Sequence, residues 1–195
     1  MPSPGIRSVQ KSVLGSYSRT IIRKAASVRA LFFDVDGVLT DGKIIYSDKG
    51  DDLKEFHVRD GLIISHLRKA GLITGIISGR ESASVSRRAS ELKLDFCHQA
   101  IDDKSWACRQ ILKHHKIIAD EVAYIGDDLN DLGLFSMVGL SVCPADAPSY
   151  IRERADLVTD AKGGRGVVRE VGDLILAAQG AFEQMVGSYL KDSKK

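Results

Sequence analysis

Ala30-Leu31-Phe32-Phe33-Asp34-Val35-Asp36-Gly37-Val38-Leu39-Thr40 is an apolar run that breaks into two aspartates and a glycine. The run is short, β-prone and followed by a turn signal, so it reads as a buried strand ending at Asp34. In open α/β sheets, ligands bind in the crevice outside the carboxyl ends of the strands. Two carboxylates this close repel unless a cation or a shared proton relieves them. An all-oxygen pair suits a hard ion such as Mg²⁺, which binds through one or two carboxylates plus a phosphate. On these residues alone the plain reading is a solvated turn, because aspartate is common after any strand.

Three more polar clusters lie downstream, two of them at the ends of apolar runs. Ile76-Ile77-Ser78-Gly79-Arg80 places a hydroxyl after a short buried strand, and Lys104 opens a helical stretch. Tyr124-Ile125-Gly126-Asp127-Asp128-Leu129-Asn130-Asp131 ends another apolar run in three carboxylates. The order is acid pair, hydroxyl, lysine, acid cluster. In that order of residue types the chain resembles the haloacid dehalogenase-like phosphatase superfamily. Three further segments narrow the resemblance: Asp36-Gly37-Val38-Leu39-Thr40-Asp41-Gly42, Phe56-His57-Val58-Arg59-Asp60-Gly61 and Gly163-Gly164-Arg165-Gly166-Val167-Val168-Arg169-Glu170-Val171. They are similar to the 3-deoxy-D-manno-octulosonate 8-phosphate (KDO 8-phosphate) phosphatase family. The likeness runs from about residue 30 to 180 and departs locally at Gln99-Ala100-Ile101, where a glycine is expected after the glutamine.

Composition agrees with one enzyme domain. A chain of 195 residues has room for a sizeable core. Its 44% apolar and 28% charged residues are ordinary for a globular protein. A net charge of +2 without aromatic-interleaved basic stretches argues against a nucleic-acid partner. Cys97, Cys108 and Cys143 are odd in number and widely spaced, which suits free thiols packed in a reducing compartment. No uninterrupted apolar run approaches the roughly 20 residues that span a bilayer, so no membrane partner is expected either. The five histidines show no metal-ligand spacing.

Residues 1–29 carry Arg7, Lys11, Arg19, Arg23, Lys24 and Arg29 and no acidic residue. That composition fits a transit peptide, a basic arm or a surface helix. Ile21, Ile22, Ala25 and Ala26 share one face at helical spacing, and the resemblance implies a helix before the first strand. Strands are predicted at 31–33, 73–77, 121–125, 139–142 and 156–158, alternating with helices at 61–69, 82–92, 104–114, 129–135 and 166–178. Such alternation implies an α/β fold with a doubly wound, mostly parallel sheet covered on both faces. Runs at 43–46 and 53–56 flank Ser47-Asp48-Lys49-Gly50-Asp51-Asp52 and read as an inserted β-hairpin, within residues 43–57. No insertion is large enough for a cap domain. The domain is therefore expected at 30–180, followed by a tail at 181–195 with a disordered polar end. The resemblance implies a homotetramer in the cytoplasm whose hairpins assemble around an axis.

The resemblance also implies the chemistry. Asp34 attacks phosphorus, and Asp36 protonates the leaving oxygen and later takes a proton from water. Mg²⁺ is held by Asp34, Asp127 and the backbone carbonyl of Asp36. Ser78 and Lys104 hold phosphoryl oxygens. Asp128 and Asp131 complete the metal shell or orient Lys104, with Asp131 the more usual orienter in the family. A sugar-acid phosphate also needs a cation for its distant carboxylate, for which Arg59, Arg80 and Arg165 are candidates, with Thr40 beside them at the substrate. The glycines around Arg165 suggest a mobile loop.

Each residue also has a plainer reading. Ser78 could cap the helix near Glu81, Lys104 could be a surface lysine, and Asp127 and Asp128 could cap the helix from Leu129. The three arginines could pair with Asp60, Glu81 or Glu170. For the whole chain the leading expectation is a Mg²⁺-dependent phosphatase releasing KDO and phosphate, in lipopolysaccharide precursor synthesis. Its alternatives are a phosphatase of a nine-carbon keto-deoxynonulosonate 9-phosphate and a non-catalytic phospho-accepting or interaction module. Against the last, the acid pair comes first and contains the nucleophile, the second acid cluster comes last, and no motif residue is missing.

Overall fold

The opening strand runs Ala30–Phe33 (β1) and all four of its residues are buried. The computed structural model describes residues 4–48 and 52–191. Before β1 come α1 (Pro4–Gly15) and α2 (Arg19–Ala26); after it come β2 (Ile45–Tyr46), β3 (Asp52–Leu53), α3 (Val58–Lys69) and β4 (Ile73–Ile77). The chain continues through α4 (Ala83–Leu92), β5 (Phe96–His98), α5 (Lys104–His115), a 3-10 turn (Ala119–Glu121) and β6 (Val122–Ile125). A second 3-10 turn (Leu129–Asp131) leads into α6 (Leu132–Phe135), β7 (Leu140–Cys143), α7 (Ser149–Arg152), β8 (Leu157–Val158), α8 (Val167–Ala178) and α9 (Phe182–Lys191).

Six strands form one sheet in the order β5-β4-β1-β6-β7-β8, every pair parallel. Successive residues of a strand face opposite sides, and each side has its own core. Leu31, Phe33, Ile76, Ala123, Ile125 and Val142 pack with Ile63, Leu67, Leu174 and Ile175 of α3 and α8. On the other face Ala30, Phe32, Ile77, Val122 and Tyr124 pack with Ala107, Cys108 and Ile111 of α5 and Leu134 of α6. Covering on both faces is why these strands are apolar runs rather than alternations.

The α/β doubly wound reading holds, and the helices and most strands fall within a few residues of their predicted places. At the amino end, Ile21 and Ala25 of α2 are buried while Ala26 is exposed, so the apolar face is narrower than the spacing suggested. Three helices and one strand lacked a sequence signal. α1 packs beside α8, where Gln10 Nε2 donates to the Ala177 carbonyl at 3.1 Å. α9 occupies much of the stretch read as a tail: Phe182 is buried against the α8 core, and Tyr189 lies 2.9 Å from His66 Nε2 of α3. α7 is a single turn, and β5 is a short, half-exposed edge strand. The polar end at 192–195 and Lys49, Gly50 and Asp51 of the hairpin turn lie outside the described residues.

The hairpin is shorter than its two β-prone runs: Ile45 pairs with Leu53 and Tyr46 with Asp52. All three cysteines are free thiols. Among the described residues no helix is long and apolar enough to cross a membrane.

Candidate active site

Parallel pairing of β4, β1 and β6 aligns Ile76, Phe33 and Ile125 across the sheet. The chain leaves these strands at one edge, bringing Asp34, Ser78 and Asp127 to neighbouring positions from three distant parts of the sequence. Lys104, the first residue of α5, reaches the same edge. Its side chain is 1% exposed, and its ammonium contacts Asp34 Oδ2 at 2.5 Å and Asp131 Oδ1 at 2.7 Å. The surface-lysine reading therefore fails: a buried ammonium needs this pairing.

Asp131 is fully occupied. Its Oδ1 also accepts from the Tyr124 hydroxyl at 2.6 Å, and its Oδ2 accepts from the backbone N–H groups of Asp127 at 2.8 Å and Asp128 at 3.2 Å. Four donors on one buried carboxylate make it a brace for Lys104 and for the turn after β6. Asp128 is exposed and its Oδ1 accepts from Leu129 N–H at 2.8 Å, capping the 3-10 turn as the plainer reading had it. Asp34 Oδ1 accepts from Val35 N–H at 2.6 Å, which fixes the carboxylate plane.

One oxygen from each of Asp34, Asp127 and Asp131 lies within 4.8 Å of the others. Burial pushes the Asp34 carboxyl up to about 6 despite the Lys104 ammonium beside it. Asp127 goes further, to about 8, from burial and then from repulsion by Asp34, Asp131 and Asp128. The Lys104 ammonium is held above its usual range, because Asp34 and Asp131 together outweigh the opposing effect of burial. Three carboxylates against one ammonium leave the cluster short of positive charge. The donor set is oxygen only, and Asp131 is already committed. Asp34 and Asp127 therefore fit a hard divalent cation such as Mg²⁺. The Asp36 side chain is not part of this group.

Asp36 points elsewhere. Lys54 Nζ lies 2.5 Å from its Oδ1, Thr40 Oγ1 lies 3.4 Å from the same oxygen, and Arg80 Nε stands 3.6 Å from its Oδ2. Arg80 thus faces Asp36 rather than the adjacent Glu81. Ser78 is buried, and its hydroxyl accepts from Arg80 N–H at 3.4 Å; the helix that follows starts after Ser82, whose hydroxyl makes no capping hydrogen bond, so Ser78 does not cap it. Arg59 is exposed in the first turn of α3.

The stretch 163–166 is packed, which corrects the mobile-loop expectation. Gly164 N–H donates to the Val38 carbonyl at 3.0 Å and Gly163 N–H to Asp146 Oδ1 at 2.9 Å. A Cβ on Gly163 would come within 2.2 Å of the Gly37 carbonyl, so glycine here permits close backbone approach rather than motion. Arg165 is exposed and borders a recess of about 170 Å³ with Asp41, Glu55 and His57. Glu170, its suggested partner, instead accepts from the N–H groups of Asp160 and Ala161.

Sequence reasoning missed Lys54 and Tyr124. Alternation within Val122-Ala123-Tyr124-Ile125 puts the Tyr124 hydroxyl on the face toward α5, which was a usable signal. Nothing in the hairpin's pattern distinguishes Lys54 from any other surface lysine.

Residues 96–171 match the haloacid dehalogenase-like hydrolase family model. The 3-deoxy-D-manno-octulosonate 8-phosphate phosphatase KdsC of Escherichia coli K12 is 42% identical over 173 residues, covering 89% of this chain and 92% of the relative. The crystal structure of that phosphatase from Yersinia pestis superposes with a TM-score of 0.84 at 42% identity, over 86% of this chain and 90% of that one. The Moraxella catarrhalis phosphatase, solved with magnesium, phosphate and KDO, gives 0.86 at 39% identity, over 89% and 99%. With this identity over nearly its whole length and the same sheet beneath it, the chain belongs to the KDO 8-phosphate phosphatase family of haloacid dehalogenase-like hydrolases.

Proposed function

We propose that the protein is a Mg²⁺-dependent phosphatase that hydrolyses KDO 8-phosphate to KDO and phosphate, a step in lipopolysaccharide precursor synthesis. The observation that carries this is Asp34, held by Lys104 and Val35 at the carboxyl edge beside an Asp127 carboxylate short of positive charge. Asp34 attacks phosphorus and forms an aspartyl-phosphate, dividing one difficult hydrolysis into two easier steps. Asp36 gives a proton to the departing sugar oxygen, then takes one from the water that cleaves the intermediate. Ser78 and Lys104 hold phosphoryl oxygens, and Asp131 and Tyr124 keep Lys104 in place. Asp34, Asp127 and the Asp36 carbonyl would hold Mg²⁺. When bound, the ion offsets repulsion between the acidic site and the anionic substrate.

Arg80, Arg59 and Arg165, with Thr40, are our candidates for recognising the sugar acid. Arg80 is the best placed, because it already stands over Asp36. We further propose a cytoplasmic homotetramer assembled through the hairpin. Its Ile44, Ile45, Tyr46 and Leu53 are 45%, 47%, 67% and 48% exposed, an apolar edge that otherwise invites uncontrolled association.

The test is phosphate release with Mg²⁺ from KDO 8-phosphate and keto-deoxynonulosonate 9-phosphate, compared as kcat/KM. We expect at least a hundredfold preference for the eight-carbon substrate, about 2.7 kcal/mol of transition-state discrimination. The reverse preference overturns the substrate and leaves the chemistry. Release from neither overturns the sugar-acid substrate.

A further inference from the structure

Lys54 joins the hairpin to Asp36. It follows β3 directly, and its side chain has no exposed surface. Its Nζ lies 2.5 Å from Asp36 Oδ1. The same oxygen is 3.4 Å from the hydroxyl of Thr40, which is itself buried and accepts from Gly42 N–H at 3.3 Å. Oδ1 is thus held by Lys54, with the Thr40 hydroxyl, equally 3.4 Å from the Val35 carbonyl, beside it. Oδ2 is left toward Arg80, whose side chain is 46% exposed.

From this geometry we infer that Lys54 is a positioning residue for proton transfer. It pins Asp36 by Oδ1 so that Oδ2 presents the proton to the leaving oxygen. As the Asp34–phosphorus bond forms and the bond from phosphorus to the sugar oxygen breaks, the proton passes from Asp36 Oδ2 to that oxygen. The resulting Asp36 carboxylate stays paired with Lys54. In the second half, Oδ2 takes a proton from water as the water oxygen bonds to phosphorus and the bond to Asp34 breaks. Lys54 is enclosed and holds Asp36 Oδ1, and its effect runs through Asp36. Because it sits on the hairpin, the insertion that offers the apolar edge also sets the acid.

This inference rests on the proposed role of Asp36, and the test separates the two. A poor alkoxide leaving group needs protonation, whereas p-nitrophenolate leaves without it, and kcat/KM reports only the steps through departure of the leaving group. For Lys54→Met, kcat/KM should fall about 30-fold or more on KDO 8-phosphate, part of the 10²–10⁴ typical of general acid catalysis. On p-nitrophenyl phosphate it should stay within about threefold. The ratio between substrates is insensitive to any loss of folded protein. In an Asp36→Asn background the same change should have no further selective effect. Equal losses on both substrates in Lys54→Met, or no loss on either, overturn the positioning role. A selective loss that persists in Asp36→Asn shows that Lys54 acts by another route and overturns it as well. Asp36→Asn losing equally on both substrates overturns the acid role of Asp36, and the inference with it. If the wild type fails on KDO 8-phosphate, the substrate reading falls alone; other primary alkyl phosphates against aryl phosphates still decide Lys54 by the same criterion.

Discussion

Ala100 has φ +54°, in the left-handed region, beside the backbone of Arg80, whose carbonyl accepts from Ala100 N–H at 3.4 Å. A side chain there costs about 1–2 kcal/mol from Cβ crowding. Ala100 is exposed and forfeits no packing if trimmed. Ala100→Gly should therefore stabilise the protein by about 0.5–1 kcal/mol, the relief being partly offset by a freer unfolded chain. A raised urea midpoint at unchanged slope would show this, and a lowered midpoint would refute the strain. The departure from the family pattern at this residue was visible in the sequence, but its backbone angle was not. Gly37 is the converse case. With φ +85° and a hypothetical Cβ 1.9 Å from Asp127 Oδ2, it has no room for any side chain. Asp34, Asp36, Ser78, Lys104 and Asp127 were legible because each follows a strand or opens a helix. Lys54 was not, because enclosure is decided by what folds over a residue.

α8 is preceded at its cap position by a glycine, Gly166, which has no side chain to cap it. The missing cap comes from another helix: Asp60 Oδ1 in α3 accepts from Arg169 N–H at 2.7 Å. The arrangement is costly, since Asp60 Oδ2 is buried without a partner. Burial pushes the Asp60 carboxyl up to about 6, only partly countered by the Arg169 N–H. The folded state therefore holds this proton more tightly than the unfolded chain does. Stability from this group is greatest below the unfolded value near 4 and declines as pH rises through about 6. Asp60→Asn keeps an acceptor for α8 and removes the charge. Above pH 6 it should gain on the wild type by on the order of 2–3 kcal/mol, with the gap vanishing near pH 4. A constant gap across this range in denaturant titrations would contradict the buried-charge account. The helix at α8 was readable from its apolar residues and glycine-rich start. Its cap was not, because residues 60 and 169 meet only in three dimensions. α9 escaped notice for a related reason: its signal is weak until Phe182 and Tyr189 find α8 and α3.

The whole molecule places a buried, rigid sheet beneath an exposed apolar hairpin. If that hairpin builds the tetramer, Ile45→Lys with Tyr46→Lys should shift the mass by light scattering to a smaller species while circular dichroism stays unchanged. A wild type that runs as a monomer with full turnover would rule out assembly through this edge. The sheet order could be inferred only in outline from alternating strands and helices, whereas partner and register come from packing. β1 lies between β4 and β6, which start 43 and 92 residues beyond Ala30. During synthesis, the first strand of the sheet can find its first partner early. Its other edge stays unpaired until Val122–Ile125 has left the ribosome. For that interval Leu31-Phe32-Phe33 is an open apolar edge, so the folding chain passes through a period of exposure to self-association that the finished enzyme no longer shows.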